Sequence, residues 1–203
     1  DSLEDPDDAT REEAAKALAQ LADPTTLDAL IGACGDEYWS VRTRAGWGVA
    51  KIGGPKAIEA LIALFNDPIM EVRNEAVAAV VSLGAGQTDR LLAAMKDERW
   101  RVREHAAKAC GDLRDPRAID GLVFACRDRD GAVKSAAAEA LGKMGDAKAI
   151  PALIKLFRDS SKIVRETAGI ALVAIGKPSV DLLLETMKDK DFVVRCHAAR
   201  ALG

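Results

Sequence analysis

One short signature returns along the chain at a fixed interval, and that interval constrains the fold more than any single residue does. A Val-Arg dipeptide occurs at Val41-Arg42, Val72-Arg73, Val102-Arg103, Val164-Arg165 and Val194-Arg195, with Thr10-Arg11 and Val133-Lys134 as degenerate copies in phase. An aspartate stands five residues ahead of each copy, at Asp5, Asp36, Asp67, Asp97, Asp128, Asp159 and Asp189, so the spacing is 30 or 31 residues throughout. A self-similar period of this length marks stacked supersecondary units rather than one compact core.

Each unit reads as two helices. The first begins at the dipeptide and carries buried candidates at positions 0, +4, +8 and +11, for example Val41, Ala45, Val49 and Ile52. That is a one-sided helical stripe. A turn rich in Gly, Pro and Asp follows, as in Gly53-Gly54-Pro55 or Asp115-Pro116, and stops the helix. The second helix repeats apolar residues at 0, +3, +4 and +7: Ile58, Leu61, Ile62 and Phe65, then again Ile150, Leu153, Ile154 and Phe157. One pair cannot bury its own stripe, so neighbours must stack. The composition agrees, with 49% hydrophobic residues but only 4% aromatic. The apolar share is mostly Ala and Leu, the best helix formers.

The predicted fold is all-α, an α-solenoid of helix-pair repeats running through residues 1–203 as a single domain. The units fall near 5–35, 36–66, 67–96, 97–127, 128–158 and 159–188, with a partial unit at 189–203. The pattern D-x4-V-R-x2-A-A-x-A-L-G, a turn, then A-I-x-x-L-I-x-L-F-x-D resembles the HEAT-like repeats of the phycobilisome-lyase type, most closely in residues 133–159. The resemblance implies a superhelix whose second helices line the concave face. It also implies functions as diverse as scaffolds, adaptors, lyase subunits and modifying enzymes.

A longer period overlies the short one. Segment 11–34 pairs with 103–126, and a three-repeat shift aligns 10–101 with 102–193, the pattern of a duplicated three-repeat block. The two 30-residue units have shortened turns, 83–88 and 175–180, at the same place in each block, which predicts a local change of stacking rotation there. Because 189–203 supplies a first helix without its second, a fragment or the ordered part of a longer solenoid is expected.

Composition narrows the partners. The formal net charge of −3 argues against a general phosphate-backbone binder, so no nucleic acid is expected. No apolar run approaches the roughly 18–20 residues of a membrane span, so no membrane is expected either. Cys34, Cys110, Cys126 and Cys196 form no CxxC pair, and a reducing, cytoplasmic setting is the simplest reading.

Candidate chemistry is sparse. His105 and His197 hold equivalent positions three repeats apart, too distant to share a metal within one chain. Deoxyhypusine hydroxylase, a di-iron enzyme of similar repeats, uses His-Glu pairs, whereas this chain has only Glu104-His105 in the reverse order. Cys34 and Cys126 stand where Phe65, Met95, Phe157 and Met187 stand elsewhere, and Cys110 replaces Val49 or Leu141; these read as core thiols. Cys196, beside His197, falls at an exposed helical position where a reactive thiol is conceivable. The Asp and Arg columns read as the signature of the stack. Neither a catalytic set, a metal nor a cofactor is expected.

The expected role is therefore that of a non-catalytic scaffold or adaptor gripping a protein or peptide partner, of basic character, or a part within a larger complex. The alternative is a subunit of a phycobilin or chromophore lyase or related protein-modifying complex. On the second helices an acidic column runs Asp28, Glu59, Asp89, Asp120 and Asp181, with Arg90, Phe124 and Lys155 on neighbouring columns. These eight residues are the candidate concave contact, and Phe124 is the candidate anchor. A second column, two residues before each Val, holds Trp39, Trp100 and Phe192 and reads as a hydrophobic rim. Trp47 occupies a first-helix position that is Ala, Lys, Glu, Ile or Arg elsewhere, and reads as a lone outer contact.

Overall fold

The computed structural model describes residues 2–203. In chain order the α-helices are α1 (Asp8–Leu21), α2 (Leu27–Ala33), α3 (Trp39–Ile52), α4 (Pro55–Leu64), α5 (Met70–Ser82), α6 (Thr88–Ala94) and α7 (Trp100–Leu113). They continue as α8 (Ile119–Ala125), α9 (Gly131–Met144), α10 (Ile150–Lys155), α11 (Lys162–Ile175), α12 (Val180–Thr186) and α13 (Phe192–Leu202). Odd numbers are the first helices of the repeats and even numbers the shorter second ones. They form two compact units, one ending at Gln87 and holding α1–α5, the other spanning Thr88–Gly203 and holding α6–α13.

The periodic stripes form the core. Val41, Ala45 and Val49 are fully buried on α3, with Ile52 half-buried at its end. On the second helices Ile58, Leu61 and Phe65 are buried, as are Ile150, Leu153 and Phe157 three repeats on. Each such side chain stabilises the fold by roughly 1.5–3 kcal/mol before the entropy of ordering it is counted. Where first helices cross, small residues set the distance. A Cβ on Gly111 of α7 would lie 2.6 Å from both Cα and Cβ of Ala140 on α9, and one on Gly142 of α9 would lie 2.8 Å from Cα of Ala171 on α11.

The recurrent aspartate and arginine join one repeat to the next. The Oδ1 of Asp36 accepts the Tyr38 backbone N–H at 2.9 Å and so closes the turn that launches α3; Asp5, Asp67, Asp97, Asp128, Asp159 and Asp189 each do the same two residues on. The arginine after each Val turns back to the same loop. Arg42 Nη1 donates to the carbonyls of Asp36 and Glu37, at 2.8 and 2.9 Å. Its Nε and Nη2 reach forward to the carboxylate of Asp67, at 2.6 and 2.8 Å. Arg11 with Asp36 in the first unit, and Arg103 with Asp128 in the second, repeat this two-pronged bond. Lys134 reaches Asp159 with its single ammonium. A planar guanidinium satisfies two carbonyls and one carboxylate together, which lysine cannot do.

First helices end twelve residues after the Val of the dipeptide, at a residue with positive φ. Glycine holds that place at Gly53, Gly84, Gly145 and Gly176, whereas Ala22 and Arg114 adopt it at φ 51.

Candidate partner-binding surfaces

The second helices turn their acidic column outward. Asp28 and Glu59 are exposed in the first unit, and Asp89, Asp120 and Asp181 in the second. Three of these acids meet a cation 28 residues further on: Lys56 Nζ lies 3.1 Å from Asp28, Arg117 Nη1 3.6 Å from Asp89, and Lys148 Nζ 3.2 Å from Asp120. A count of the acids alone passes over these partners. Their signal in the sequence is a basic residue two positions ahead of three of the second-helix stripes. The surface thus alternates in sign rather than being uniformly acidic. All three pairs are mostly solvated, so each is worth about 0–1 kcal/mol and is open to exchange for a partner's charge.

In the second unit Arg90, Lys155 and Glu185 are also exposed on α6, α10 and the end of α12. Among them Phe124 on α8 stands 72% exposed. The ring is open to solvent on a helix face otherwise made of charged and small residues. Part of the small-residue column is packing instead: a Cβ on Gly121 would lie 2.4 Å from Cδ2 of Leu92.

The rim residues lie at the first positions of their helices. Trp39 is half exposed, with exposed Tyr38 beside it, and Trp100 and Phe192 are exposed in the second unit. Cations cover part of these rings: the Arg101 guanidinium sits 4.8 Å from the Trp100 ring centroid, and that of Arg195 sits 5.8 Å from Phe192. Trp47 is placed differently. It is half-buried on α3, and its indole N–H donates to Glu75 Oε2 on α5 at 2.8 Å. Its polar edge is spent inside the first unit, which leaves it poorly suited as a lone outer contact.

Three of the four cysteines and both histidines are packed into the fold. Cys34, Cys110 and Cys126 are buried, and burial pushes each thiol up to about 12. His105 is buried with Nδ1 2.8 Å from the Arg101 carbonyl. His197 stacks on Phe157, with ring centroids 5.6 Å apart, and its Nε2 accepts from Arg165 Nε at 3.3 Å. Burial, then the Arg165 charge, lowers its pKa and favours the neutral ring. Cys196 is half-exposed. Among the described residues no group of three or more His, Cys, Asp and Glu is placed to hold a metal ion. No single helix among them is long and apolar enough to cross a membrane.

With this geometry in view, comparison with known proteins decides the family. The model for HEAT repeats matches residues 1–81, 88–173 and 153–203. The chain belongs to the HEAT-repeat family. No curated protein sequence matches it. Among solved structures, one of the complex of CpcE and CpcF of phycocyanin lyase from Nostoc sp. PCC7120 is 25% identical with a TM-score of 0.60, covering 73% of this HEAT-repeat chain and 99% of that one. A structure of Kap95p with RanGDP is 16% identical with a TM-score of 0.64, covering 99% of this chain and 34% of that one. The second likeness is one of fold alone.

Proposed function

We propose that this HEAT-repeat chain is the protein-holding subunit of a lyase-type, protein-modifying complex, and that it grips its protein partner on the second-helix face of the unit spanning Thr88–Gly203. The likeness to a chain of the phycocyanin lyase complex supports the class, because it extends over nearly all of that chain. The observation that carries the holding role is Phe124, exposed on α8 with Asp120 on the same helix and with Arg90 and Lys155 exposed on the second helices α6 and α10 on either side. An open ring supplies contact area, and the alternating charges around it fix register more than affinity. In this reading the chemistry falls to other subunits.

A general scaffold that binds a protein or peptide is the second reading, and the same surface supports it. Two measurements separate them. In the first, the chain is mixed with a bilin-free phycobiliprotein acceptor, and complex formation is followed by sedimentation velocity. A complex favours the lyase-type reading, whose holding subunit must bind the acceptor, and no complex removes it. In the second, acceptor binding is measured for Phe124→Ala and for the double reversal Asp89→Lys, Asp120→Lys. Loss of a hot-spot aromatic weakens binding by about tenfold or more. Binding that survives both changes puts the partner elsewhere on the molecule.

A further inference from the structure

On the second-helix face of the unit spanning Thr88–Gly203, the charges that the fold leaves over are positive. Segments 88–96, 119–127 and 150–158 cover α6, α8 and α10 with the turn that ends each. Their acids are Asp89 and Asp120, and their cations are Arg90, Lys96, Arg127, Lys155 and Arg158, all of them exposed. Both acids are already paired, with Arg117 and Lys148. Arg90, Lys96, Arg127 and Lys155 make no ion pair among the described residues; Arg158 pairs with Asp189 and, at 3.8 Å, with Asp191.

Lys96, Arg127 and Arg158 are equivalent residues, one in each repeat. Each directly precedes the aspartate of its turn, but other cations hold those aspartates: Arg99 holds Asp97, Arg103 holds Asp128 and Lys134 holds Asp159. A cation at the end of a helix is favoured by the helix dipole. The stack does not depend on it, however, because the same position is Gly35 and Asn66 in the other unit.

The register of the helices brings Phe124 into this row. Asp120, Phe124 and Arg127 stand at i, i+4 and i+7, on one face of the α8 segment, as do Pro151, Lys155 and Arg158 one repeat on. The open ring therefore lies between a neutralised carboxylate and a free guanidinium. α8 also lies close against the α6 segment, since a Cβ on Gly121 would be 2.9 Å from Cε of Met95. Helices packed in this way stand about 8–10 Å apart. That step equals about three residues of extended chain, at roughly 3.3 Å each.

We propose that this face takes an acidic, extended segment of the partner protein. The segment crosses the C-terminal ends of α6, α8 and α10, sets a carboxylate at every third residue on Lys96, Arg127 and Arg158, and packs an apolar side chain on Phe124. Arg158 exchanges its exposed pair for the incoming carboxylate. The proposal rests on the holding role given above and supplies the chemistry of what is held. Its sign is opposite to what the acidic column alone suggests, because that column is neutralised at Asp89 and Asp120 within the fold. A nucleic acid fits less well, since a duplex carries one charge about every 1.7 Å and this row offers one about every 8–10 Å.

Fluorescence anisotropy with a labelled peptide of about ten residues tests this, with Glu at every third position, one Leu beside the middle Glu and Ser elsewhere. Saturable binding is expected below about 1 mM, weakening as salt is added. A peptide of the same composition with its Glu residues adjacent is expected to bind at least about threefold more weakly, because its register is wrong. The double reversal Lys96→Glu, Arg127→Glu is expected to weaken binding at least about tenfold and to bind a peptide carrying Lys in place of Glu. Asp89→Lys, Asp120→Lys is expected to bind the Glu peptide more tightly. All four positions are exposed, and thermal melts confirm that each variant is folded. No binding at about 1 mM overturns the proposal, as does binding indifferent to the Lys96 and Arg127 reversals or weakened by the Asp89 and Asp120 reversals. An oligothymidine of equal charge that binds more tightly than the Glu peptide overturns it in favour of a nucleic acid. The failures are distinguishable: if the acceptor protein binds in a Phe124-dependent way while the Glu peptide does not, the holding role stands and the acidic occupant falls; if neither binds, both fall.

Discussion

At the scale of single residues, Arg114 is the strained one. It ends α7 at φ 51, ψ 31, in the left-handed region, and its N–H caps the Cys110 carbonyl. Four of the six equivalent positions are glycine. A side chain in this conformation costs about 1–2 kcal/mol, while glycine gives back part of that through the freedom of its unfolded chain. Arg114→Gly is therefore expected to stabilise the protein by about 0.5–1 kcal/mol, measured as a shift in the urea midpoint at constant slope. A lower midpoint would mean that the Arg114 side chain holds something worth more than the strain. The sequence placed this position at a helix stop, because Asp115-Pro116 follows it, but the sign of φ is invisible without the aligned glycines. The same limit explains Trp47 and the acidic column. Their partners, Glu75 and the cations at Lys56, Arg117 and Lys148, lie 28 residues away in the next repeat. Pairing them requires the angular register between repeats, which a period in the sequence does not contain. By contrast the buried stripes, the core thiols and the linking role of the Asp and Arg columns were legible, since each depends only on position within one repeat.

At the scale of the element, the turns that launch α3 and α7 each hold an aspartate whose charged form the fold favours. The Arg99 side chain, with the Arg99 backbone N–H, holds the Asp97 carboxyl down at about 2. The Arg11 side chain lowers the Asp36 carboxyl below its ordinary value, and Arg117 followed by the Thr88 hydroxyl lowers that of Asp115 in the turn before α8. An unfolded aspartate takes up its proton near pH 3.9. Between that value and the lowered native ones, the unfolded chain binds more protons than the folded one. The stability these groups contribute is therefore complete above about pH 4 and is lost as pH falls through the native values. Thermal melts followed by circular dichroism should show this decline, and Asp97→Asn should make it shallower while lowering the plateau at neutral pH. His197 adds an earlier loss. Its native pKa is lowered by burial and then by Arg165, so its contribution fades as pH drops past the ordinary imidazole value of about 6.5. A melting temperature that stays flat down to about pH 3 would show that these bonds contribute nothing net. The sequence predicted the helices and their stripes but not that the turns carry this charge dependence, because the arginine that matters for each aspartate differs from turn to turn.

At the scale of the molecule, the repeats contribute unequally although they look alike. Stability in a stacked array is a sum of repeat and nearest-neighbour terms, so a helix flanked on both sides opens last. In the unit spanning Thr88–Gly203, α9 lies between α7 and α11, and both joints bring backbone to backbone through Gly111 with Ala140 and Gly142 with Ala171. Amide hydrogen exchange across α7, α9 and α11 is therefore expected to be slowest in α9. Gly142→Ala sharpens the test. Its added methyl would overlap Ala171 and cost about 1–3 kcal/mol in overpacking, more than the roughly 1 kcal/mol gained in helix propensity. Because the energy is local, the variant should speed exchange in α9 and α11 and leave α7 nearly unchanged. Equal acceleration in every helix would mean that the unit opens only as a whole, with a cooperativity that nearest-neighbour stacking does not provide.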